Sequence, residues 1–288
     1  MGPELRDLGA NPEICAINTA TLGFQAPIGQ VIEAVARAGF GGIAPWRREV
    51  EGYDVAAIAR HIRAAGLQVS GYCRSTYIPA ATIAEFKANV AANRRAISDA
   101  AMLGASCFVM VVGSLPAGSK DIGRARAQVA EASAELLDHG RQVGVKIALE
   151  PLHPVYAADR SCLSLLSEAL DMCEAIEGVT DDPWIGALVD VYHLWWDPNL
   201  KRDIARAGLA KRIFGFHVCD WLVPTNDVLN DRGMMGDGVI DVPMIRGLVE
   251  AAGYAGPVEA EIFSSANWWK KPMDETLKVC RERFATAA

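Results

Sequence analysis

Four ionisable residues in the second half of the sequence each follow a short apolar run. They are Glu150 in KIALEPLHP, Asp190 in GALVDVYH, His217 in FGFHVCDW and Glu261 in VEAEIFS. Any one of them alone could cap a helix or form a loop salt bridge. Three carboxylates and an imidazole that converge on one small site, however, need a cation to hold them together. Because oxygen ligands predominate and no cysteine stands at these places, the set favours Mn²⁺, Mg²⁺ or Co²⁺ over a thiolate zinc site.

The elements that must position these residues follow a repeated pattern. An alanine-rich amphipathic stretch ends at a glycine, and a short β-branched or apolar run comes next. The glycines are Gly39, Gly66, Gly104, Gly144 and Gly253. Each stands where a helix ends with a left-handed residue, a conformation that glycine adopts without a Cβ penalty. The pattern therefore predicts helices that are each followed by a strand.

Eight candidate strands result from this pattern, and they are nearly continuous in apolar residues, as in a covered or closed parallel sheet. They are residues 15–22, 42–46, 68–74, 107–112, 146–150, 186–190, 213–217 and 258–261. We expect an α/β fold, a single (β/α)8 barrel that spans residues 1–288 as one domain. An open doubly wound sheet is the alternative, but no GxGxxG follows the first strand. Active sites of such barrels lie at the carboxyl ends of the strands, which is where the four ionisable residues stand.

Composition excludes several other classes of protein. The chain has 288 residues, 51% of them hydrophobic, a formal net charge of −7 and no Lys/Arg cluster, which argues against binding to nucleic acid. Its seven cysteines are scattered without a CxxC, so we interpret them as reduced, mostly buried side chains. No apolar run is long enough to cross a membrane, and the N-terminus does not have the pattern of a signal peptide. We expect a soluble cytoplasmic protein.

The order of the site residues resembles that of the xylose isomerase-like TIM barrel superfamily, in particular the sugar phosphate isomerase/epimerase branch that includes the ketose 3-epimerases. The matching residues are Glu150, Asp190 with His193 in DVYH, His217, the segment GDGVID at 236–241, and Glu261. The resemblance covers essentially the whole chain.

This resemblance implies that Glu150, Asp190, His217 and Glu261 bind one divalent metal, with Mn²⁺ as the first choice and Mg²⁺, Co²⁺ or Zn²⁺ as alternatives. It also implies that Glu150 and Glu261 act as acid and base on either face of a sugar. His193 and Arg232 are similar to the histidine and arginine with which this family contacts its substrate.

Two segments depart from the pattern of the family. The stretch from Asp220 to Met235 is longer than the usual connection, and LEPLHP places His153 where many relatives of the epimerase branch have other residues. We expect these loops to define the substrate.

The same residues make chemical sense without the resemblance. A metal that chelates a carbonyl and a neighbouring hydroxyl acidifies the carbon between them, while one carboxylate removes a proton and another returns it. The sequence therefore predicts a metal-dependent sugar isomerase or epimerase that acts through an enediolate. Ligands for one metal argue against a two-metal hydride shift, and Lys146 lies too early in its strand for a Schiff base. A keto-sugar lyase, hydratase or C-glycoside-cleaving enzyme with the same metal site is the alternative.

Two more distant classes of protein fit the sequence less well. A repair nuclease with the same barrel needs a histidine-rich three-metal cluster and a basic DNA face, whereas this chain is acidic. A sugar-binding subunit without catalytic activity would not need the intact set of four ligands.

Tryptophans are concentrated near the predicted strand ends. Those of interest are Trp46, Trp195, Trp196, Trp221, Trp268 and Trp269. Aromatic rings stack on the apolar faces of sugars, so we expect a small-molecule carbohydrate substrate, with Trp46, Trp221 and His153 among the residues that bind it. The pairs Trp195–Trp196 and Trp268–Trp269 could instead pack on a lid or at a subunit interface, as in a homodimer or homotetramer.

Glu259 shares strand parity with Glu261 and competes with it as a ligand. A side chain two residues earlier should lie in a core layer of the barrel, where Lys146 could pair with it. We therefore expect Glu261 to be the ligand.

Overall fold

The computed structural model describes residues 5–288, and eight of the strands in this range form one curled parallel sheet. Residues 1–4 lie outside the described residues. They are part of the predicted domain of residues 1–288 and of the N-terminal segment that does not have the pattern of a signal peptide. The strands are β1 (Cys15–Asn18), β2 (Gly42–Ala44), β3 (Gln68–Val69), β4 (Cys107–Met110), β5 (Lys146–Leu149), β6 (Ile185–Asp190), β7 (Ile213–Val218), β8 (Asp220–Trp221), β9 (Arg232–Gly233) and β10 (Val258–Ala260).

The sheet order is β3-β2-β1-β10-β7-β6-β5-β4, and β8 and β9 form a separate antiparallel pair. The two edges of the sheet meet at Tyr72, just after β3. Its N–H donates to Cys107 and its carbonyl accepts from Val109, both at 3.0 Å. These bonds close the sheet, so the structure is the predicted (β/α)8 barrel.

Helices alternate with the strands, as the sequence pattern predicts. They are α1 (Ile28–Arg37), α2 (Arg47–Val50), α3 (Val55–Ala64), α4 (Ile83–Leu103), α5 (Ile122–Val143), α6 (Leu166–Glu177), α7 (Val191–Leu194), α8 (Leu200–Leu209), α9 (Val242–Ala251) and α10 (Met273–Ala287). Their buried faces carry apolar residues, such as Val31, Ile32 and Val35 of α1, that join one core cluster with the strands. Among the described helices, none is both long and apolar enough to cross a membrane.

The predicted helix-terminal glycines are confirmed. Gly104 and Gly144 follow α4 and α5 with φ of 76° and 81°, and Gly39, Gly66 and Gly253 also have positive φ. The seven cysteines are unpaired and buried, as expected.

Several predicted strands are shorter in the structure. The first ends at Asn18, because the Asn18 side chain accepts from the backbone N–H of Ala20 and starts a 3-10 turn over Thr19–Leu22. The third keeps only Gln68–Val69 as regular strand, and Tyr72 and Cys73 continue it as isolated bridges.

The predicted pairing of Lys146 with Glu259 is wrong. The Lys146 ammonium lies 3.6 Å from Asp182 and over the Phe214 ring at 4.9 Å, whereas the buried Glu259 carboxylate contacts His217 and Asn18.

Candidate metal centre

The four ionisable residues come together at the carboxyl ends of neighbouring strands. Glu150 directly follows β5, Asp190 ends β6, His217 lies near the end of β7, and Glu261 directly follows β10. Asp190 and His217 are direct partners across the β6–β7 ladder, so their side chains share the interior face. One ligand atom from each of the four lies within 4.8 Å of the others, and all four side chains are buried.

His217 is oriented by a carboxylate from the neighbouring strand. Glu259 is its ladder partner in β10, and the Nε2 of His217 lies 2.9 Å from the Glu259 carboxylate. Because that carboxylate occupies Nε2, the Nδ1 atom faces the cluster, 3.7 Å from Glu261 and 4.0 Å from Glu150. Nδ1 is buried and has no hydrogen-bond partner among the described residues.

This arrangement suits a divalent metal ion. Three buried carboxylates converge with an imidazole nitrogen that has no partner within the described part of the chain, and such a nitrogen carries a desolvation penalty unless something binds it. A histidine whose other nitrogen is held by a carboxylate is the usual geometry of a metal ligand. The Glu/Asp/His cluster could therefore hold a metal ion. The donor set of oxygens and one imidazole is compatible with Mn²⁺, Mg²⁺, Co²⁺ or Zn²⁺ and does not select among them.

Arg232 is a cation that the chain itself contributes to the cluster. Its guanidinium lies 3.0 Å from the Glu261 carboxylate and 3.4 Å from that of Asp190. The aromatic rings of Tyr192 and Phe263 lie on it at 4.4 Å and 4.8 Å. Arg232 is thus fixed by contacts on several sides, and it still lines the cavity next to the cluster.

The two glutamates have opposite electrostatic surroundings. Burial, together with the carboxylates of Glu261 and Asp190, raises the pKa of Glu150 well above its ordinary value. Burial also disfavours ionised Glu261, but His217 and Arg232 outweigh it and lower the pKa of that carboxyl. In the absence of a metal, Glu150 therefore tends to hold a proton and Glu261 tends to be ionised. Such a separation of two carboxyl pKa values is typical of an acid/base pair.

The other two members of the cluster are also perturbed. Burial raises the pKa of Asp190 to about 6, although Arg232 opposes the shift. Burial lowers the pKa of His217, but Glu259 and Glu261 outweigh it, so the net pKa lies well above the ordinary value.

A cavity of about 170 Å³ opens beside the cluster. This volume lies below the ~300–1,000 Å³ of sites for drug-sized ligands, so the cavity suits a small metabolite. The side chains that line it are Trp46, Cys73, Arg74, Tyr77, Val111, Glu150, Leu152, Tyr156, Arg160, His193, Leu229, Arg232, Glu261 and Phe263.

Three of the five residues predicted to bind substrate line this cavity, namely Trp46, His193 and Arg232. The other two, His153 and Trp221, lie beside it and contact each other, with ring centroids 5.0 Å apart. The backbone N–H of His153 donates to Nδ1 of His193 at 3.2 Å, so His153 holds a lining residue in place. A direct role of these five side chains in substrate binding stays a prediction.

The long segment from Asp220 to Met235 folds back toward the cluster. β8 and β9 pair within it, and β9 carries Arg232. The carbonyl of Val228 accepts from the hydroxyls of Tyr156 and Tyr192 at 2.8 Å and 2.6 Å. These bonds bring Leu229 to the cavity wall.

Sequence reasoning missed several residues of the site or assigned them the wrong partner. Glu259 lies in the core layer that its strand parity predicts, but its partner is His217 and not a lysine. Asn18, which also contacts Glu259, ends β1 and could have been found by the same strand-end rule. Arg160 and Leu229 stand in loops where no sequence signal places them at the cavity.

Comparison with known proteins agrees with this geometry. The family model for the xylose isomerase-like TIM barrel matches residues 32–283. The chain therefore belongs to the xylose isomerase-like TIM barrel family. Among curated proteins, none matches this sequence.

Solved structures share the fold over almost the whole chain. The protein SMc04130 from Sinorhizobium meliloti 1021 is 47% identical, with a TM-score of 0.92 over 96% of this chain and 98% of that one. A D-allulose 3-epimerase from Methylomonas sp. is 20% identical, with a TM-score of 0.75 over 98% and 97%. An IOLI protein described with a binding zinc atom is 16% identical, with a TM-score of 0.78 over 94% and 98%. The last two are similar in fold alone.

Proposed function

We propose that this protein is a metal-dependent sugar isomerase or epimerase that moves a proton at the carbon next to a carbonyl. The observation that carries the proposal is the pair of buried glutamates, Glu150 and Glu261, which line one cavity and whose pKa values are shifted in opposite directions. The epimerase among the solved structures with this fold supports the same class of reaction.

Glu150, Asp190, His217 and Glu261 would hold the metal, most simply Mn²⁺. When bound, the metal supplies a Lewis acid that polarises the substrate carbonyl and neutralises the carboxylates. Arg232 and His193 lie at the cavity wall next to Glu261 and would orient the substrate oxygens.

The two glutamates would carry the proton. The ionised carboxylate of Glu261 is suited to take a proton from carbon, and Glu150 is suited to return one from the other face of the substrate. In the reverse direction the roles exchange. The apolar walls formed by Trp46, Leu152 and Phe263 limit the access of water to the reacting carbon.

The test is hydrogen exchange in deuterated water. The protein loaded with Mn²⁺ is incubated with D-fructose and other ketoses, and with 3-keto-glycosides. Deuterium in the recovered sugar at the carbon next to the carbonyl, together with a new epimer or isomer, is the expected result. An eliminated product would assign the protein to the lyases that use the same site. Absence of exchange with every member of the panel would contradict the proposal.

A further inference from the structure

The wall of the cavity carries two arginines, opposite in charge to the glutamates, that the proposed proton transfer does not use. Arg74 follows the third strand and Arg160 lies in the loop after β5, and both line the cavity that Glu150 and Glu261 line. A role for these arginines in binding rests on the proposed function, since it concerns the substrate of the same site.

Arg74 and Arg160 are held by aromatic rings and not by strong ion pairs. Arg74 lies over the Tyr77 ring at 4.6 Å, and within residues 5–288 no carboxylate lies within 4.0 Å of it. Arg160 lies over Tyr156 at 5.6 Å, and its ion-pair partner in the same part of the chain is its exposed neighbour Asp159, at 3.9 Å. Such a pair with an exposed carboxylate contributes little. Both guanidinium groups therefore keep donors for a ligand.

The two arginines are brought together by one apolar cluster. Tyr156 is a buried member of that cluster, and Tyr77 packs against it. The two loops also meet at Gly113, whose N–H donates to the Arg160 carbonyl at 2.9 Å. A Cβ on Gly113 would lie 2.6 Å from the Cβ of Tyr77, so the glycine allows this close approach.

We propose that Arg74 and Arg160 form a subsite for an anionic group, a carboxylate or a phosphate, at the end of the substrate remote from the reacting carbon. Arginine is suited to both groups because its planar donors match paired oxygens. The carboxylates of the candidate metal centre have their own cation in Arg232, and a bound metal would add a second, so they do not compete for Arg74 and Arg160. The substrate class is thus an acidic or phosphorylated ketose.

Binding of matched ligands tests this proposal without requiring turnover. D-fructose, D-fructose 6-phosphate and 5-keto-D-gluconate are titrated by calorimetry into the Mg²⁺-loaded protein at low ionic strength. We expect at least one of the two anions to bind about tenfold more tightly than D-fructose, and added salt to weaken the preference. Whichever anion is preferred identifies the group as phosphate or carboxylate.

Arg74→Gln and Arg160→Gln should each reduce the preference for the anion over D-fructose. Arg63→Gln, an exposed arginine of α3, is the matched control and should change neither affinity. Equal affinity for the three compounds or no binding of either anion would overturn the proposal. So would a preference for the anion that survives in the protein with both Arg74→Gln and Arg160→Gln. Failure of the proposed function is distinguishable from failure of this proposal. If only the proposed function fails, no deuterium exchange is seen, but the anion still binds more tightly than D-fructose.

A separate observation concerns the buried groups behind the metal centre. The Glu259 carboxylate accepts from Asn18 at 2.8 Å and from the Ser70 hydroxyl at 2.6 Å, besides its contact with Nε2 of His217. The Asn18 side chain in turn accepts from the indole N–H of Trp46 at 2.6 Å. A continuous chain of hydrogen bonds therefore runs from the cavity wall to the back of His217.

We infer that Glu259 is a positioning residue, which fixes the tautomer and direction of His217 so that Nδ1 faces the other three ligands. An ionised carboxylate only accepts hydrogen bonds, so Nε2 of His217 must donate to Glu259, and the proton of neutral His217 lies on Nε2. Because Trp46 is the last member of the same chain of hydrogen bonds, this chain fixes both the cavity wall at Trp46 and the orientation of His217.

Metal affinity and a spectroscopic signature test this role. Titration with Mn²⁺ should show an affinity about 10- to 100-fold lower for Glu259→Ala, with partial recovery in Glu259→Gln, which can still accept from Nε2. In the Zn²⁺-loaded protein, a downfield N–H proton resonance from the His217 ring should be present in the wild type and lost in Glu259→Ala.

Asp203→Asn is the matched control, because Asp203 is a buried carboxylate of α8 outside the cluster. It should lower stability without changing either readout. If Glu259→Ala does not fold, Glu259→Gln carries the test alone through its weaker affinity and shifted resonance. Unchanged Mn²⁺ affinity or an unchanged His217 signal in a folded Glu259 variant would overturn the inference.

Discussion

Glu150 and Glu261 show how neighbouring groups shift the pKa of one side-chain type in opposite directions. Both are buried, which disfavours the ionised form of each. Glu261 lies near His217 and Arg232, whereas Glu150 faces mainly other carboxylates. The opposite shifts of the two carboxyl pKa values therefore come from the residues around the two glutamates.

Replacement of either glutamate by glutamine should abolish most turnover. Glu150→Gln and Glu261→Gln keep the shape of the side chain and remove the group that exchanges the proton, so we expect the rate of deuterium exchange to fall about 10²- to 10⁴-fold at saturating Mn²⁺. Glu135→Gln, an exposed glutamate of α5, should behave as the wild type. Exchange that persists in both site variants would rule out this pair as acid and base.

The hairpin formed by β8 and β9 depends on one buried carboxylate, that of Asp220. Its two oxygens accept from the backbone N–H groups of Trp221, Gly236, Gly238 and Ile240 at 2.8 to 2.9 Å. The GDG turn after β9 is thereby tied to β8. The hairpin that carries Arg232 is therefore anchored at its base by Asp220.

Loss of the Asp220 carboxylate should destabilise the whole fold and also the β8–β9 hairpin. Asp220→Ala leaves four backbone donors without their acceptor, and we expect a loss of about 3 kcal/mol in the free energy of unfolding. Urea denaturation measures this loss. Since Arg232 lies on the hairpin, Asp220→Ala should raise KM more than Asp220→Asn does, because asparagine keeps one acceptor oxygen. Equal effects of the two variants would mean that the anchor does not depend on the acceptors.

The helix ends provide a paired test of backbone conformation. Gly144 has a φ of 81°, and a Cβ added there would meet open space, so Gly144→Ala should destabilise the fold by about 1 kcal/mol through backbone strain alone. Gly247 lies inside α9 with ordinary contacts, and Gly247→Ala should stabilise the fold by up to about 1 kcal/mol. Thermal unfolding of both variants checks the opposite signs. The same sign for both would contradict the assignment of Gly144 as a left-handed helix end.

Stability of the whole molecule should depend on pH through Asp190. Its pKa is raised from 3.8 to about 6 in the folded, metal-free protein, so the folded state takes up this proton before the unfolded chain does. The resulting stabilisation is complete below 3.8 and is lost as the pH rises through about 6. In the presence of a chelator, the free energy of unfolding of the metal-free protein should therefore rise through Asp190 when the pH falls from about 7 to about 5.

Denaturation in the presence of a chelator measures this slope, and Asp190→Asn should flatten it. Added Mn²⁺ should reverse the trend, because the metal binds deprotonated ligands and stabilises the folded state more at the higher pH. An identical pH dependence for the wild type and Asp190→Asn would contradict the shift.

The sequence contained enough information for the barrel and for the cluster of four ionisable residues, because both follow from periodic patterns. Apolar runs after helix-ending glycines located the strands, and the strand-end rule located Glu150, Asp190, His217 and Glu261. It could not locate Arg160 or Leu229, since loop side chains reach the cavity through contacts between distant segments. Nor could it choose the partner of Glu259, because strand parity gives the face of a residue and not its neighbour across the sheet.

The distribution of the site over the barrel has an evolutionary consequence. The four clustered residues lie in or directly after β5, β6, β7 and β10, which are consecutive neighbours in the sheet. Arg74 and Tyr77 follow the third strand, where regular pairing gives way to isolated bridges. After a gene duplication, mutations in that irregular stretch would change the cavity wall without disturbing the four clustered residues. Copies of this gene should therefore diverge first in the residues that line the cavity and last in the buried Glu/Asp/His cluster.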